Sequence, residues 1–159
     1  MFLFIYQRWY PALEELIRGY SAPIKLIPIQ DFDHACLNFY HDLEGYSFDP
    51  AVAIEDYDGD GIADYVFQAY DDDSEYLMSF LSMDGLWNPY VIWESPKKDH
   101  SEFPRITFLR PRKAQIFKSN YQENDLDLKT GSIEVIYCEK ASVLYYWDKG
   151  KFKEYTLSD

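Results

Sequence analysis

The sequence predicts an α+β fold in which N-terminal helices pack on a mostly antiparallel, meandering β-sheet. The first third of the chain has helical periodicity and helix-end signals, whereas the rest consists of short apolar runs separated by turn residues. No strand–helix–strand alternation occurs, which argues against a parallel sheet. With 159 residues, the chain is long enough to bury the core of one domain. We therefore expect a single domain over residues 1–159, helical over 1–48 and β-rich over 49–159.

Two helices are predicted in the N-terminal part. The first starts at Pro11, a residue tolerated in a first helical turn, and its apolar residues share one face: Leu13, Leu16, Ile17 and Tyr20. Pro23 and Pro28 then impose an extended connector. The second helix follows in DFDHACLNFYHDLEGY, with either Asp31 or Asp33 as its N-cap.

Short strands are predicted from Ala51 onward, in the order AVAI, DYVFQAY, EYLMSFLSM, LWNPYVIW, RITFLR, KAQIFKS, SIEVIYCEK, SVLYYWD and KFKEYTLSD. Asp84-Gly85 marks one hairpin turn, and Asp148-Lys149-Gly150 marks a second. Pro111 is expected to separate RITFLR from KAQIFKS, and NYQENDLDLKTG is expected to be a polar loop.

Charge is unevenly distributed along the chain, whose formal net charge is −13. The segment 26–96 contains no Lys or Arg, against sixteen Asp and Glu, whereas 103–122 contains five basic residues and no acid. An acidic field of this size repels nucleic acid and anionic membrane and attracts cations or basic protein surfaces. Alternatively, the charge only keeps an aromatic-rich protein soluble.

The two cysteines, Cys36 and Cys138, match no metal-binding or redox spacing. They form either one disulfide, if the protein is exported, or two buried thiols. No apolar run approaches the length of a membrane span, and Phe2–Tyr6 is too short for a secretory signal. We expect no insertion into a membrane.

The stretch EDYDGDGIAD contains the residues of a calcium loop at the required spacing. Carboxylates at positions 1, 3, 5 and 9, a glycine at 6 and a main-chain oxygen at 7 provide hard oxygen donors around a sharp bend. The predicted ligands are Asp56, Asp58, Asp60, Asp64 and the carbonyl of Ile62. Position 12 is Phe67 rather than a glutamate, so the loop is not an EF-hand. The alternative is a solvated Asp/Gly turn.

The segment DYDGDGIADYVF resembles the D-x-D-G-D-G-x-x-D loop of FG-GAP or VCBS-type repeats, in which a calcium loop joins two antiparallel strands. The wider pattern resembles small bacterial single-repeat proteins of that group. Because a propeller repeats the loop in each blade and this chain has one copy, we expect a compact sheet domain. A fully ligated calcium leaves little room for a substrate and would hold the two strands together, so we expect a structural rather than a catalytic ion.

A second acidic run, DDDSE, is a candidate docking patch for a basic partner. Its acids are Asp71, Asp72, Asp73 and Glu75. The alternative is a solvated hairpin tip. No nucleophile elbow, phosphate-binding loop or dinucleotide fingerprint is present, so no catalytic residue is assigned.

We therefore expect a calcium-binding, non-enzymatic domain that binds another protein through an acidic surface, and no nucleic-acid partner. The resemblance suggests an inhibitor or immunity protein directed against a bacterial toxin or hydrolase. Two alternatives stay open: a hydrolase acting on carbohydrate or cell wall with a structural calcium, and a carbohydrate-binding or adhesion module. Calcium favours the periplasm or exterior, whereas the absence of a visible leader favours the cytoplasm. The sequence does not indicate an oligomeric state.

Overall fold

The computed structural model describes residues 10–44 and 49–159. It confirms the α+β class. In these ranges lie α1 (Pro11–Gly19), β1 (Lys25–Leu26), a short 3-10 helix (Ile29–Asp31), α2 (His34–Glu44), β2 (Val52–Glu55), β3 (Asp64–Tyr70), β4 (Ser74–Met83), β5 (Leu86–Pro96), β6 (Thr107–Arg112), β7 (Ile116–Phe117), β8 (Leu126–Asp127), β9 (Ser132–Tyr137), β10 (Ala141–Asp148) and β11 (Lys151–Ser158). Neither α1 nor α2 is long and apolar enough to cross a membrane.

Both helices begin as their sequences predict. Pro11 is the first residue of α1, and Leu13 is fully buried on its inner face. Asp33 is the N-cap of α2, because its Oδ1 accepts a hydrogen bond from the backbone N–H of Cys36 at 2.9 Å. The structure thus decides between the two candidate caps in favour of Asp33.

The strands are antiparallel, as expected, but they divide into separate sheets rather than one meander. The first sheet has the order β1-β3-β4-β5, with β2 also paired to β3; the second has the order β11-β10-β9-β6; β7 and β8 form a small ribbon. The first and second sheets meet where the backbone N–H of Leu109 in β6 donates to the carbonyl of Pro50, just before β2.

Two details of the strand prediction are wrong. Pro111 does not end a strand: it lies inside β6, opposite Ile133 of β9. A proline is tolerated there because β6 is at the edge of its sheet, so a missing N–H breaks no ladder on that side. The break between β6 and β7 falls instead at residues 113–115. The predicted polar loop also contains β8, which pairs with β7.

The core lies on both faces of the first sheet. On one face, Leu13 and Leu37 from the helices pack with Phe67 of β3 and Phe108 of β6. On the other face, Leu77 of β4 packs with a second cluster that includes Leu109, Ile133 and Val135 from the second sheet. Burial on both faces explains why most of β4 is apolar rather than alternating.

Cys36 and Cys138 form a disulfide. It joins α2 to the residue that follows β9, across a sequence separation of 102. Of the two states left open by the sequence, the structure has the disulfide.

Candidate functional site

The predicted calcium loop connects β2 to β3, whose last paired residues are Glu55 and Asp64. One carboxylate oxygen each from Asp56, Asp58 and Asp64 lie within 4.8 Å of one another. Three of the four predicted carboxylates therefore converge at the end of a hairpin. Hard oxygen donors at this separation form a possible cation site.

Asp64 is the innermost of these residues, with no exposed surface. Its Oδ2 accepts the backbone N–H of Tyr57 at 2.9 Å, and its Oδ1 accepts that of Ser82 at 2.8 Å. Burial raises the pKa of Asp64 to about 6, and the two hydrogen bonds only partly oppose this. A buried carboxylate in this position is one that a bound cation would stabilise in its charged form.

The other two converging carboxylates organise the loop backbone. Asp56 accepts the N–H groups of Gly59 at 2.7 Å and Gly61 at 2.9 Å, and both glycines have φ near +86°. Asp58 accepts the N–H of Asp60 at 3.1 Å. Partial burial raises the pKa of the Asp58 carboxyl, and the negative charges of Asp60 and Asp56 raise it further.

Asp60, predicted as the ligand at position 5, is not one of the three converging carboxylates. It is exposed, and its Oδ1 accepts the backbone N–H of Ile62 at 2.7 Å. That local bond forms an Asx turn and points the carboxylate to the loop backbone. Ile62 is 48% exposed, and its carbonyl as a ligand stays a prediction.

Sequence reasoning missed the segment that supports this loop from outside. The backbone N–H of Gly131 donates to the carbonyl of Asp56 at 2.8 Å. A Cβ at position 131 would lie 2.7 Å from that same carbonyl oxygen and 2.3 Å from Cγ of Glu55, so only glycine fits. The neighbouring Thr130 packs on Gly59. Only the turn-type dipeptide Thr130-Gly131 marks this site in the sequence.

The second acidic run forms the turn between β3 and β4. Asp71 shapes this turn, because it accepts the N–H groups of Asp73 and Ser74 and the hydroxyl of Tyr76. These bonds, with that of Tyr76 first, lower the pKa of Asp71. Asp72 and Asp73 are exposed at the tip.

Glu75 does not belong to the exposed patch predicted for it. It is 4% exposed, and its Oε2 accepts a hydrogen bond from Nη2 of Arg105 at 2.6 Å. Its Oε1 contacts Nε2 of His100 and accepts the N–H of Lys98 at 3.2 Å. Glu75 is buried rather than exposed because side chains alternate along β4. Glu75 and Leu77 face the interior, whereas the turn residues before them face solvent.

Arg105 ties this buried pair to the rest of the fold. Its Nη1 donates to Oε1 of Gln68 at 2.8 Å, and its backbone bonds to Asp31 and Asp33 at the start of α2. Burial alone would raise the pKa of Glu75, but the charge of Arg105 and the hydrogen bond of His100 outweigh it, so the pKa is lowered. The network fixes the segment 97–106 against the sheet.

Beside this network, the inner faces of the two large sheets leave a cleft of about 600 Å³. Its walls include the rings of Trp93 in β5, Tyr137 in β9 and Tyr145 in β10. The segment between β5 and β6 borders it with Lys98 and Phe103. No motif in the sequence marks this cleft, because its residues come from five strands, from the segment between β5 and β6 and from the start of α2.

Comparison of the chain with protein-family models, with curated proteins and with solved structures gives no match in any of the three. The fold and the acidic group define an α+β domain with a candidate cation site between β2 and β3.

Proposed function

We propose that this protein is a calcium-stabilised, non-enzymatic domain that binds another protein. The main support for this proposal is that carboxylate oxygens of Asp56, Asp58 and Asp64 lie within 4.8 Å of one another and that Asp64 is completely buried. Three carboxylates this close repel one another, and a divalent cation would offset that repulsion. An all-oxygen group of this kind suits calcium rather than a transition metal.

The proposed role of the ion is structural. Asp64 bonds to Ser82 of β4 and to Tyr57 of the loop, so a cation held by Asp64 would connect the β2–β3 loop to the neighbouring strand. In the resembling FG-GAP or VCBS-type loops a calcium ion has this position between two strands. The carbonyl of Ile62 and the carboxylate of Asp60 are further proposed ligands, the latter after release from its Asx turn.

Calcium titration tests this proposal. We expect saturable heat of binding with Ca²⁺ and a higher melting temperature in Ca²⁺ than in chelator, both at neutral pH. The double variant Asp56→Asn, Asp58→Asn should lose both effects, whereas Asp72→Asn, which removes an exposed carboxylate elsewhere, should retain them. Equal melting temperatures in Ca²⁺ and chelator for the unmodified protein would exclude the ion.

The proposed protein-binding role rests on charge. The strands β2 to β5 lie in a segment with no Lys or Arg, and Asp72 and Asp73 are exposed at the β3–β4 turn, beside Lys97 and Lys98 of the following segment. An acidic surface of this kind accelerates association with a basic one. An inhibitor or immunity protein acting on a cationic toxin or hydrolase is the class we propose. The disulfide favours the periplasm or exterior as its location.

Affinity capture from the source cell, followed by mass spectrometry, would identify the partner. With that partner, the variant Asp72→Lys, Asp73→Lys should associate more slowly and with weaker salt dependence than the unmodified protein. Glu123→Lys, Asp125→Lys changes the net charge equally at another exposed loop and is the matched control. Equal association rates for both variants would place the contact elsewhere.

A further inference from the structure

The cleft between the two sheets has aromatic walls that the proposed function does not use. Trp93, Tyr137 and Tyr145 all lie on inner faces, where they also pack against the apolar cluster between the sheets. Aromatic rings on an inner face usually complete a core. Here they border an opening of about 600 Å³, within the size range of small-molecule sites.

A β-bulge directs Trp93 into this cleft. Leu77 of β4 lies opposite Trp93, whereas the next residue, Met78, lies opposite Val91, so Ile92 is the extra residue in β5. Without the bulge, Val91 and Trp93 would face the same side of the sheet. With it, Val91 is 49% exposed on the outer face and Trp93 lies on the inner face.

Charges of both signs border the cleft. Its lining includes three carboxylates, two cationic side chains and one histidine: Asp33, Glu75, Glu102, Lys98, Arg105 and His100. Glu75 and Arg105, the most buried of these charges, already form an ion pair, and Nε of Arg105 has no hydrogen-bond partner among the described residues. A strongly cationic or anionic ligand would therefore meet like charges as well as opposite ones, without a free buried counter-charge.

Polar groups on the walls also disfavour a purely apolar ligand. The hydroxyl of Tyr145 donates to Oε2 of Glu154 at 3.1 Å, and burial raises the pKa of both Tyr145 and Tyr137. The indole N–H of Trp93 is buried without a hydrogen-bond partner among the described residues. A hydrocarbon in the cleft would offer no hydrogen-bond partner to the polar side chains of its lining, such as Ser95 and Lys98, at a cost in affinity.

We propose that this cleft binds a neutral saccharide unit. A sugar ring has C–H faces that pack on aromatic rings and hydroxyl groups that both donate and accept hydrogen bonds, and it has no net charge. Trp93 and Tyr137 provide the stacking surfaces, and Tyr145, Ser95 and Lys98 provide polar contacts at the border. This binding activity is separate from the calcium loop and from the acidic tip of the β3–β4 turn.

Titration with neutral oligosaccharides tests the proposal, with tryptophan fluorescence and calorimetry as readouts. The probes are cellotetraose, maltotetraose, mannotetraose and chitotriose, each with and without chelator. We expect saturable binding of at least one probe in the millimolar range or tighter. Tyr137→Ala should weaken that binding about tenfold by removing a stacking ring. Tyr145→Phe should weaken it less, because the ring remains.

Tyr121→Ala is the matched control, because Tyr121 is 54% exposed in the loop between β7 and β8 and does not line the cleft. Circular dichroism and melting temperature establish that each variant is folded. The proposal is overturned if no probe binds the folded, unmodified protein, if Tyr137→Ala and Tyr121→Ala bind alike, or if tetramethylammonium or acetate binds more tightly than every sugar. If chelator abolishes sugar binding and Tyr137→Ala has no effect on it, the sugar binds at the β2–β3 loop rather than in the cleft. That result also overturns the proposal.

Discussion

The carboxylate of Asp64 at the start of β3 accepts a hydrogen bond from the backbone N–H of Ser82 in β4, at 2.8 Å and across 18 residues of sequence. Both groups are buried. Asp64 is therefore a structural residue of the sheet as well as a proposed ligand. The same carboxylate also accepts the N–H of Tyr57, so it connects the β2–β3 loop to β4.

Asp64→Ala is expected to lower the free energy of unfolding by about 2–3 kcal/mol even in chelator, because it leaves two buried N–H groups without an acceptor. Asp60→Ala, at an exposed position of the same loop, should cost less than about 1 kcal/mol. Urea unfolding of the two variants in chelator measures the difference. Equal losses would show that the bonds of Asp64 contribute little.

The Glu75–Arg105 pair predicts an acid-dependent loss of stability. Because the folded-state pKa of Glu75 is lowered, its contribution is fully present above its ordinary value of 4.5 and is lost as pH falls through the folded-state pKa. Glu75→Gln should therefore make melting temperature fall less steeply below pH 4.5. It should also reduce stability at neutral pH by about 3–5 kcal/mol, because the buried Arg105 loses its counter-charge.

Glu94→Gln is the control for that pH series, since Glu94 is an exposed acid on the adjacent strand β5. The melting temperature of the Glu94→Gln variant should equal that of the unmodified protein at every pH. A Glu75→Gln profile parallel to that of the unmodified protein would mean that this ion pair does not drive acid unfolding.

The disulfide between Cys36 and Cys138 should contribute strongly to the free energy of unfolding, because it closes a long loop. Replacing both cysteines by serine is expected to lower the free energy of unfolding by about 2–4 kcal/mol. Chemical denaturation with and without reductant measures this. Reductant should destabilise the unmodified protein and leave the double variant unchanged; a reductant effect of equal size on both would point to another cause.

Gly131→Ala should destabilise the protein by about 1–3 kcal/mol, because its Cβ would meet the backbone carbonyl of Asp56 at 2.7 Å. Gly19→Ala at the end of α1 meets nothing within 4 Å and should be tolerated. Thermal unfolding of both variants makes the comparison. On the proposed function, Gly131→Ala should also weaken calcium binding, since the clash displaces a residue of the loop.

Local signals in the sequence predicted most of the secondary structure. The Asp84-Gly85 turn has the positive φ angles that a two-residue hairpin requires, and Lys149-Gly150 repeats the pattern between β10 and β11. Asp33 caps α2 as one of the two predicted residues. These features depend on neighbours in the chain, so periodicity and turn chemistry are sufficient to find them.

The convergence of three loop carboxylates agrees with their spacing, whereas their role as calcium ligands stays a prediction. The spacing of Asp56, Asp58 and Asp64 is reflected in their convergence, and the position of the loop between two antiparallel strands is also as expected. The orientation of Asp60 was not predicted, because it depends on whether the side chain bonds to the next N–H groups or points to the centre. Spacing alone does not distinguish these two outcomes.

The sequence by itself determined the α+β class, the helix and hairpin positions and the carboxylate spacing, because each is encoded within a few consecutive residues. Only the tertiary structure decided that Glu75 is buried against Arg105, that Cys36 pairs with Cys138, and that Trp93 and Tyr137 share a cleft. These relationships join residues 30 to 102 positions apart. They follow from how the two sheets and the helices pack, which local patterns do not specify.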